Sequence, residues 1–193
     1  MKDIEYLYSL RKYLLIVADI FILSLIVGLL VSVKNPMLSE NYLETFKESF
    51  GWIKTLDPLL IMLVIFLNNA IKSLLALVLG VGLGIVPVLF IAGNGIILSM
   101  LADVISRQHG TLFIIAALLP HGIIEVPIIL ISAGIGLRLG HVMYLSLRGA
   151  KTEMKQELMR GVRFYARIIT PMLFLAAMVE TFVSPVILFK FAS

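Results

Sequence analysis

Residues 13–33 read YLLIVADIFILSLIVGLLVSV, and this apolar run decides the class of fold. At 1.5 Å of rise per residue, a helix over this run spans about 30 Å, which is the thickness of a hydrocarbon core. Lys34-Asn35-Pro36 ends the run, because proline disfavours helical backbone in the residue before it. The run is too long for a signal peptide and no small-residue cleavage site follows it, so we predict a signal anchor.

The rest of the chain repeats this pattern. Of its 193 residues 60% are hydrophobic, and the mean hydropathy is +1.05, whereas soluble domains are closer to half apolar. Membrane helices are predicted at 13–33, 59–79, 85–105, 111–139 and 164–189. We therefore predict an all-α, polytopic transmembrane helical bundle with about five membrane helices, forming a single integral membrane domain over residues 1–193.

Two stretches between the membrane helices are amphipathic. In the loop 37–57, Tyr42, Phe46 and Phe50 recur at helical spacing with charged residues between them. Aromatic rings favour the membrane–water interface, so this loop is predicted to form a short interfacial helix, with an ordinary surface loop as the alternative. Residues 140–163 form the second stretch, which is basic on one side and apolar on the other.

Two joints in the chain leave alternatives open. The glycine-rich segment 80–84 carries no charge, so it is either a tight turn between the second and third helices or part of one bent, re-entrant unit. The fourth helix, 111–139, is too long for one straight crossing. It is either kinked at Pro120 or Pro127, or divided into two half-helices before Pro120.

The basic residues indicate the orientation, because lysine and arginine favour the cytoplasmic ends of membrane helices. With five crossings, most of them fall on the side that holds the N-terminus and residues 138–167. We predict a multi-pass protein of the cell membrane with a cytoplasmic N-terminus and the C-terminus outside. The stretch 140–167 then attracts anionic headgroups, binds a cytoplasmic partner or only sets the topology. Nucleic acid is not a predicted partner, because no free basic arm occurs.

The most informative motif is Leu119-Pro-His-Gly-Ile-Ile-Glu-Val-Pro127, inside the fourth helix. His121 and Glu125 are four residues apart and share a helical face. Ionisable groups at bilayer depth are costly and usually mark a site, a proton path or a paired network. Polar residues also fall near the middle of the second, third and fifth helices. We predict one inward polar cluster of Asn68, Asn69, Lys72, Asn94, His121, Glu125 and Glu180.

Three uses of such a cluster remain open. Hydrogen bonds between its members would hold the helices together. Alternatively, His121, Glu125 and Glu180 supply the imidazole and carboxylate ligands that suit a divalent metal such as zinc, although no HExxH motif occurs. In the third use, a buried carboxylate beside a histidine relays protons or forms part of an ion or substrate path.

Other enzymatic signatures do not occur in the sequence. The serines of the apolar runs lack a GxSxG context, no phosphate-binding glycine loop is present, and there is no cysteine for thiolate or disulfide chemistry. Catalysis stays open on the metal hypothesis alone, and the sequence favours a role without it. No cofactor other than that metal is predicted.

Small residues at four-residue spacing predict close approaches between helices. Gly80 and Gly84 form one such set, and Ser132, Gly136 and Gly140 form the other. These positions are predicted to pack helices within one subunit, with a homodimer along the fourth helix as the alternative.

In their order and spacing, five of these motifs resemble the stage II sporulation protein M family. They are Asn68-Asn69, Gly80-x-x-x-Gly84, Asn94-Gly95, His121-Gly122-x-x-Glu125 and Ala133-Gly-Ile-Gly-Leu-Arg-x-Gly140. The resemblance is good over residues 58–140. It implies an integral membrane protein with several helices. The sporulation member is a membrane anchor or scaffold in a complex with cell-wall-degrading proteins, so the resemblance implies assembly with membrane or cell-envelope partners.

Overall fold

The computed structural model describes residues 2–186, except the side chains of Lys2, Lys54, Pro120 and His121. Every regular element in this part of the chain is a helix, which confirms the all-α prediction. The α-helices are α1 (Lys2–Ser9), α2 (Arg11–Lys34), α3 (Pro36–Phe50), α4 (Pro58–Val78), α5 (Ile85–His109), α6 (Thr111–Pro120), α7 (Val126–Leu147), α8 (Met154–Phe164) and α9 (Thr170–Phe182).

Five helical segments within residues 2–186 are long and apolar enough to cross a membrane, so the chain is a multi-pass membrane protein. These spans are Arg11–Lys34, Pro58–Val81, Ile85–His109, Gly122–Leu147 and Met154–Val186. Half of the most apolar window of the fourth span is buried inside the structure, against 17–28% in the other four. The helix α7 is therefore the central helix, and it contacts α2, α4, α5 and α8.

The predicted loop helix is present as α3. Its first residue is Pro36, whose fixed φ suits the start of a helix, and its side chains Ser39 and Leu43 are buried. A 3₁₀ turn, Gly51–Thr55, leads on to α4. The side chain of Asp57 caps α4 by accepting a 3.0 Å hydrogen bond from the amide of Leu59.

The glycine-rich joint is a tight turn. The last turn of the second span is a 3₁₀ helix, Leu79–Val81, and α5 begins at Ile85. Leu83 and Gly84 both have positive φ, at 58° and 76°, so the chain reverses within three residues. The structure thus has the turn rather than the re-entrant unit.

The fourth predicted helix continues through a widened turn. A π-helical turn, His121–Glu125, joins α6 to α7 without a break, so the helix is not divided before Pro120. Pro127 has no amide hydrogen and cannot bond the carbonyl of Ile123, which accounts for irregular bonding at this point. The helix ends at Leu147, two turns beyond the predicted end at 139.

The fifth helix begins earlier than predicted. The sequence predicts residues 154–163 as part of a segment before this helix, but α8 starts at Met154 and leads through a π-helical turn, Tyr165–Ile169, directly into α9. The amphipathic stretch 140–163 is therefore divided between the end of α7, a short connection and α8. The predicted end of the helix at 187–189 lies outside the described residues.

Candidate functional site

Glu125 is the buried carboxylate of the structure's central span. Glu125 is 2% exposed, and it is the last residue of the π-helical turn His121–Glu125. This turn packs against α9, which carries the half-buried Glu180. π-Helical turns are rare and occur often at functional sites. The structure thus places one predicted site residue, Glu125, in the interior of the bundle, on a turn of unusual geometry.

The predicted metal ligands are only partly described. Among the side chains described in residues 2–186, no group of three or more His, Cys, Asp or Glu is arranged to hold a metal ion. The side chain of His121 lies outside the described part. The set of His121, Glu125 and Glu180 therefore stays a prediction.

Two α4 residues of the predicted polar cluster, Asn68 and Lys72, do not point inward. Asn68 and Lys72 are exposed and Asn69 is half-buried. The amide of Asn68 donates a 3.1 Å hydrogen bond to the side chain of Asn69, its neighbour on the same helix. An inward orientation of Asn68 and Lys72 is thus corrected by the structure, which turns this face of α4 away from the rest of the chain.

Asn94 is also exposed, and its side-chain amide donates to the carbonyl of Phe90 one turn earlier on α5, at 2.7 Å. The next residue, Gly95, is buried against Phe21 and Ser24 of α2. The inward position on α5 is therefore held by a glycine, and Asn94 does not join Glu125 in an interior cluster.

A different polar network crosses the interior. The hydroxyl of Tyr165 donates to the carbonyl of Ala70 at 2.6 Å and lies 3.0 Å from the hydroxyl oxygen of Ser73. Ser132 donates to the carbonyl of Ser73 at 2.7 Å. These bonds join α4, α7 and the π-helical turn between α8 and α9. Sequence reasoning missed the network because serine in an apolar run gave no signal beyond small size, and Tyr165 lies among basic residues.

All five predicted helix-packing positions lie at the contact of α7 with the end of the second span and the turn after it. A Cβ added to Gly80 would fall on the backbone of Gly136, and one added to Gly140 would fall on the backbone of Gly84. Ser132 is fully buried one turn before Gly136. The small-residue face of α7 therefore packs against residues of the same chain.

A second close approach joins α2 to α5 and was not predicted. Gly28 lies against Ile96 and Ser99, and Gly95 lies against Ser24. The sequence did carry the signal, since Ser24 and Gly28, like Gly95 and Ser99, are small residues four apart. Near the C-terminal ends of these two helices, Ser32 donates to Asp103 at 2.6 Å, and Asp103 is ion-paired with Arg107.

The basic end of the bundle contains a partly buried ion pair. Arg138 on α7 lies 2.8 Å from a carboxylate oxygen of Glu157 on α8, and it also donates to the hydroxyl of Ser9 at 2.6 Å. Its guanidinium lies over the buried ring of Tyr6. Burial, and secondarily the charge of Glu157, raise the pKa of Tyr6 well above its usual value, so the phenol stays protonated. This cluster joins α1, α7 and α8.

The chain matches the model of a known protein family. A family model described as Stage II sporulation protein M matches residues 16–185, which include the five motifs between Asn68 and Gly140 that carry the resemblance. Neither a curated protein nor a solved structure matches the chain.

Proposed function

Because the chain belongs to the stage II sporulation protein M family, we propose that it is a scaffold, an assembly component of a membrane or cell-envelope complex. The observation that supports this role best is the exposure of Asn68 and Asn94 within membrane spans. An amide in hydrocarbon is costly unless its donors and acceptor are bonded, and each of these side chains uses one donor within its own helix. Helices of partner proteins would supply the remaining hydrogen bonds.

The proposed orientation has the N-terminus in the cytoplasm and the C-terminus outside. The contact of Tyr13 with His141, at 2.7 Å, and that of Ser9 with Arg138 support the grouping of the N-terminus with the basic stretch at one end of the bundle. That end attracts anionic headgroups or a cytoplasmic partner.

Replacing both amides tests the scaffold role. The double variant Asn68→Leu/Asn94→Leu is expected to lose most of the membrane proteins that copurify with the wild type, because each lost interhelical hydrogen bond contributes on the order of 1 kcal/mol. Its melting temperature in detergent should stay close to that of the wild type, because both side chains are exposed. The measurement is affinity purification from solubilised membranes with quantitative mass spectrometry.

A matched control replaces apolar side chains of the same two helices. Leu63 on α4 and Leu89 on α5 are exposed, at 43% and 66%, and Leu63→Ala/Leu89→Ala should keep the copurifying proteins. Equal retention of partners by the amide variant and by this control would refute the role of Asn68 and Asn94 in binding partner proteins.

The alternative function is an intramembrane metalloenzyme or an ion or substrate path, and the burial of Glu125 on a π-helical turn favours it. In this case protein purified without chelators should contain nearly stoichiometric divalent metal, such as zinc, measured by elemental mass spectrometry. The metal should be lost in folded Glu125→Gln and His121→Ala variants. Metal-free wild type that is folded would exclude the metal-dependent form of this alternative.

A further inference from the structure

Two opposite charges lie exposed inside the membrane spans. Asp19 is on α2 and Lys72 is on α4, and both side chains are exposed. In the described part of the chain neither takes part in an ion pair. An ionised group at bilayer depth is strongly unfavourable unless it reaches the interface or meets an opposite charge. The chain thus presents one anion and one cation that it does not neutralise itself.

The two charges lie at nearly the same depth. Leu14 packs against Gly134 and Leu77 packs against Gly136, so these contacts on α7 mark one level of the bundle. Since α2 and α4 run in opposite directions, Asp19 and Lys72 both lie five residues from that level toward the same end, about 7.5 Å along each helix. Gly134 and Gly136 differ by two residues, so the two charges differ in depth by about 3 Å.

We propose that Asp19 of one copy of this chain pairs with Lys72 of a second copy within the membrane. A second copy is favoured over another partner because it supplies both charges in equal number and at matching depth. An aspartate–lysine pair at this depth removes two unfavourable charges with one contact. The apolar side chains beside them, Leu15 on α2 and Leu75 on α4, are 65% and 49% exposed and would pack in the same interface.

The interface differs from a dimer along the fourth helix, because the small-residue face of α7 is already filled by Gly80 and Gly84. The Asp19–Lys72 pairing rests on the proposed scaffold function, because it makes a second copy of the chain one of the proteins in the assembly. The two can fail separately. Loss of copurifying proteins in the asparagine variant tests the scaffold surface, whereas self-association is read from cross-links between copies.

Disulfide cross-linking tests the pairing directly, because the chain contains no cysteine of its own. Two differently tagged copies, one carrying Leu15→Cys and the other Leu75→Cys, are reconstituted in vesicles of phosphatidylethanolamine and phosphatidylglycerol and then oxidised. These positions lie three to four residues from the two charges, at matching depth, so a heterodisulfide is expected. A copy carrying Leu112→Cys, exposed on α6, replaces the Leu15→Cys copy as the control and should not cross-link.

Charge reversal decides whether the ion pair forms the contact. Asp19→Lys in both copies, or Lys72→Asp in both, should lower the cross-linked fraction about tenfold, because like charges then meet in hydrocarbon. The variant Asp19→Lys/Lys72→Asp should restore it. Cross-linking that is absent in the parent pair, or unchanged by either single reversal, would overturn the proposal. Both side chains would then extend to the membrane–water interface instead.

A fold control keeps the test decisive. If a charge-reversed variant melts at a lower temperature than the parent, the cross-linking is measured instead with the uncharged replacements Asp19→Asn and Lys72→Met. Each replacement removes the ion pair without placing a like charge in the membrane. Each should lower the cross-linked fraction when it is made without the other. Retention of the cross-link in both of these folded variants would contradict the pairing.

Discussion

Gly140→Ala is expected to destabilise the protein by about 3 kcal/mol, although alanine is normally the better helix former. The added methyl group would fall on the backbone of Gly84 at the turn between the second and third spans. Backbone atoms cannot rotate away as a side chain can, so α7 and the end of the second span must separate. Their packing is then lost along the whole contact. The melting temperature in detergent, followed by circular dichroism, measures the effect.

Gly93→Ala is the matched control for this variant. Gly93 also lies inside a membrane helix, α5, but an added Cβ there meets nothing within 4 Å. Its alanine variant should melt at or above the wild-type temperature, since alanine gains about 1 kcal/mol of helix propensity over glycine. Gly80→Ala should behave like Gly140→Ala, because its methyl group meets Gly136. Similar stabilities for Gly140→Ala and Gly93→Ala would contradict the close approach.

Arg138→Leu is expected to lower the free energy of unfolding by about 3–5 kcal/mol, because it leaves the carboxylate of Glu157 partly buried without its cation. The side chains of the pair are 18% and 13% exposed, so water solvates the remaining carboxylate poorly. The same change removes the hydrogen bond to Ser9 and the cation over the ring of Tyr6. Thermal unfolding in detergent should show the loss, together with faster proteolysis of α1.

The double variant Arg138→Leu/Glu157→Leu should recover a large part of this stability, because no buried charge remains unpaired. Arg148→Leu provides the control for the loss of a positive charge from the same helix end. Arg148 is exposed, and among the described residues its side chain bonds only the hydroxyl of Tyr144, so its replacement should change the stability by less than about 1 kcal/mol. A double variant less stable than Arg138→Leu would refute the buried ion pair.

The number and approximate position of the membrane helices could be read from the sequence, because the thickness of the bilayer sets the length of each apolar run. The helix in the first loop was also predictable, since Tyr42, Phe46 and Phe50 mark one face of α3. The start of the last span at Met154 was not, because α8 is polar enough to resemble a connecting segment. Its buried residues, Gly161 and Phe164, acquire their role only through contact with α1 and α7.

For the candidate site, sequence reasoning identified the buried Glu125 but placed Asn68, Lys72 and Asn94 on the wrong side of their helices. Each polar group does need a partner in hydrocarbon, but that partner need not belong to the same chain. The interior serines are not predictable for a related reason, because a serine hydroxyl can donate to a backbone carbonyl of its own helix at little cost. Only the structure showed that Ser73 and Ser132 join helices.

The residue types alone therefore determined that this chain crosses a membrane in five helices and which positions are small enough for close packing. The tertiary structure decided which face of each helix points inward. In water the apolar face of a helix reveals the core, but lipid is as apolar as the interior of a bundle, so hydrophobicity does not distinguish the two sides of a membrane helix. That choice depends on the shape of the neighbouring helices, such as the Gly80–Gly136 contact that turns Asn68 and Lys72 outward.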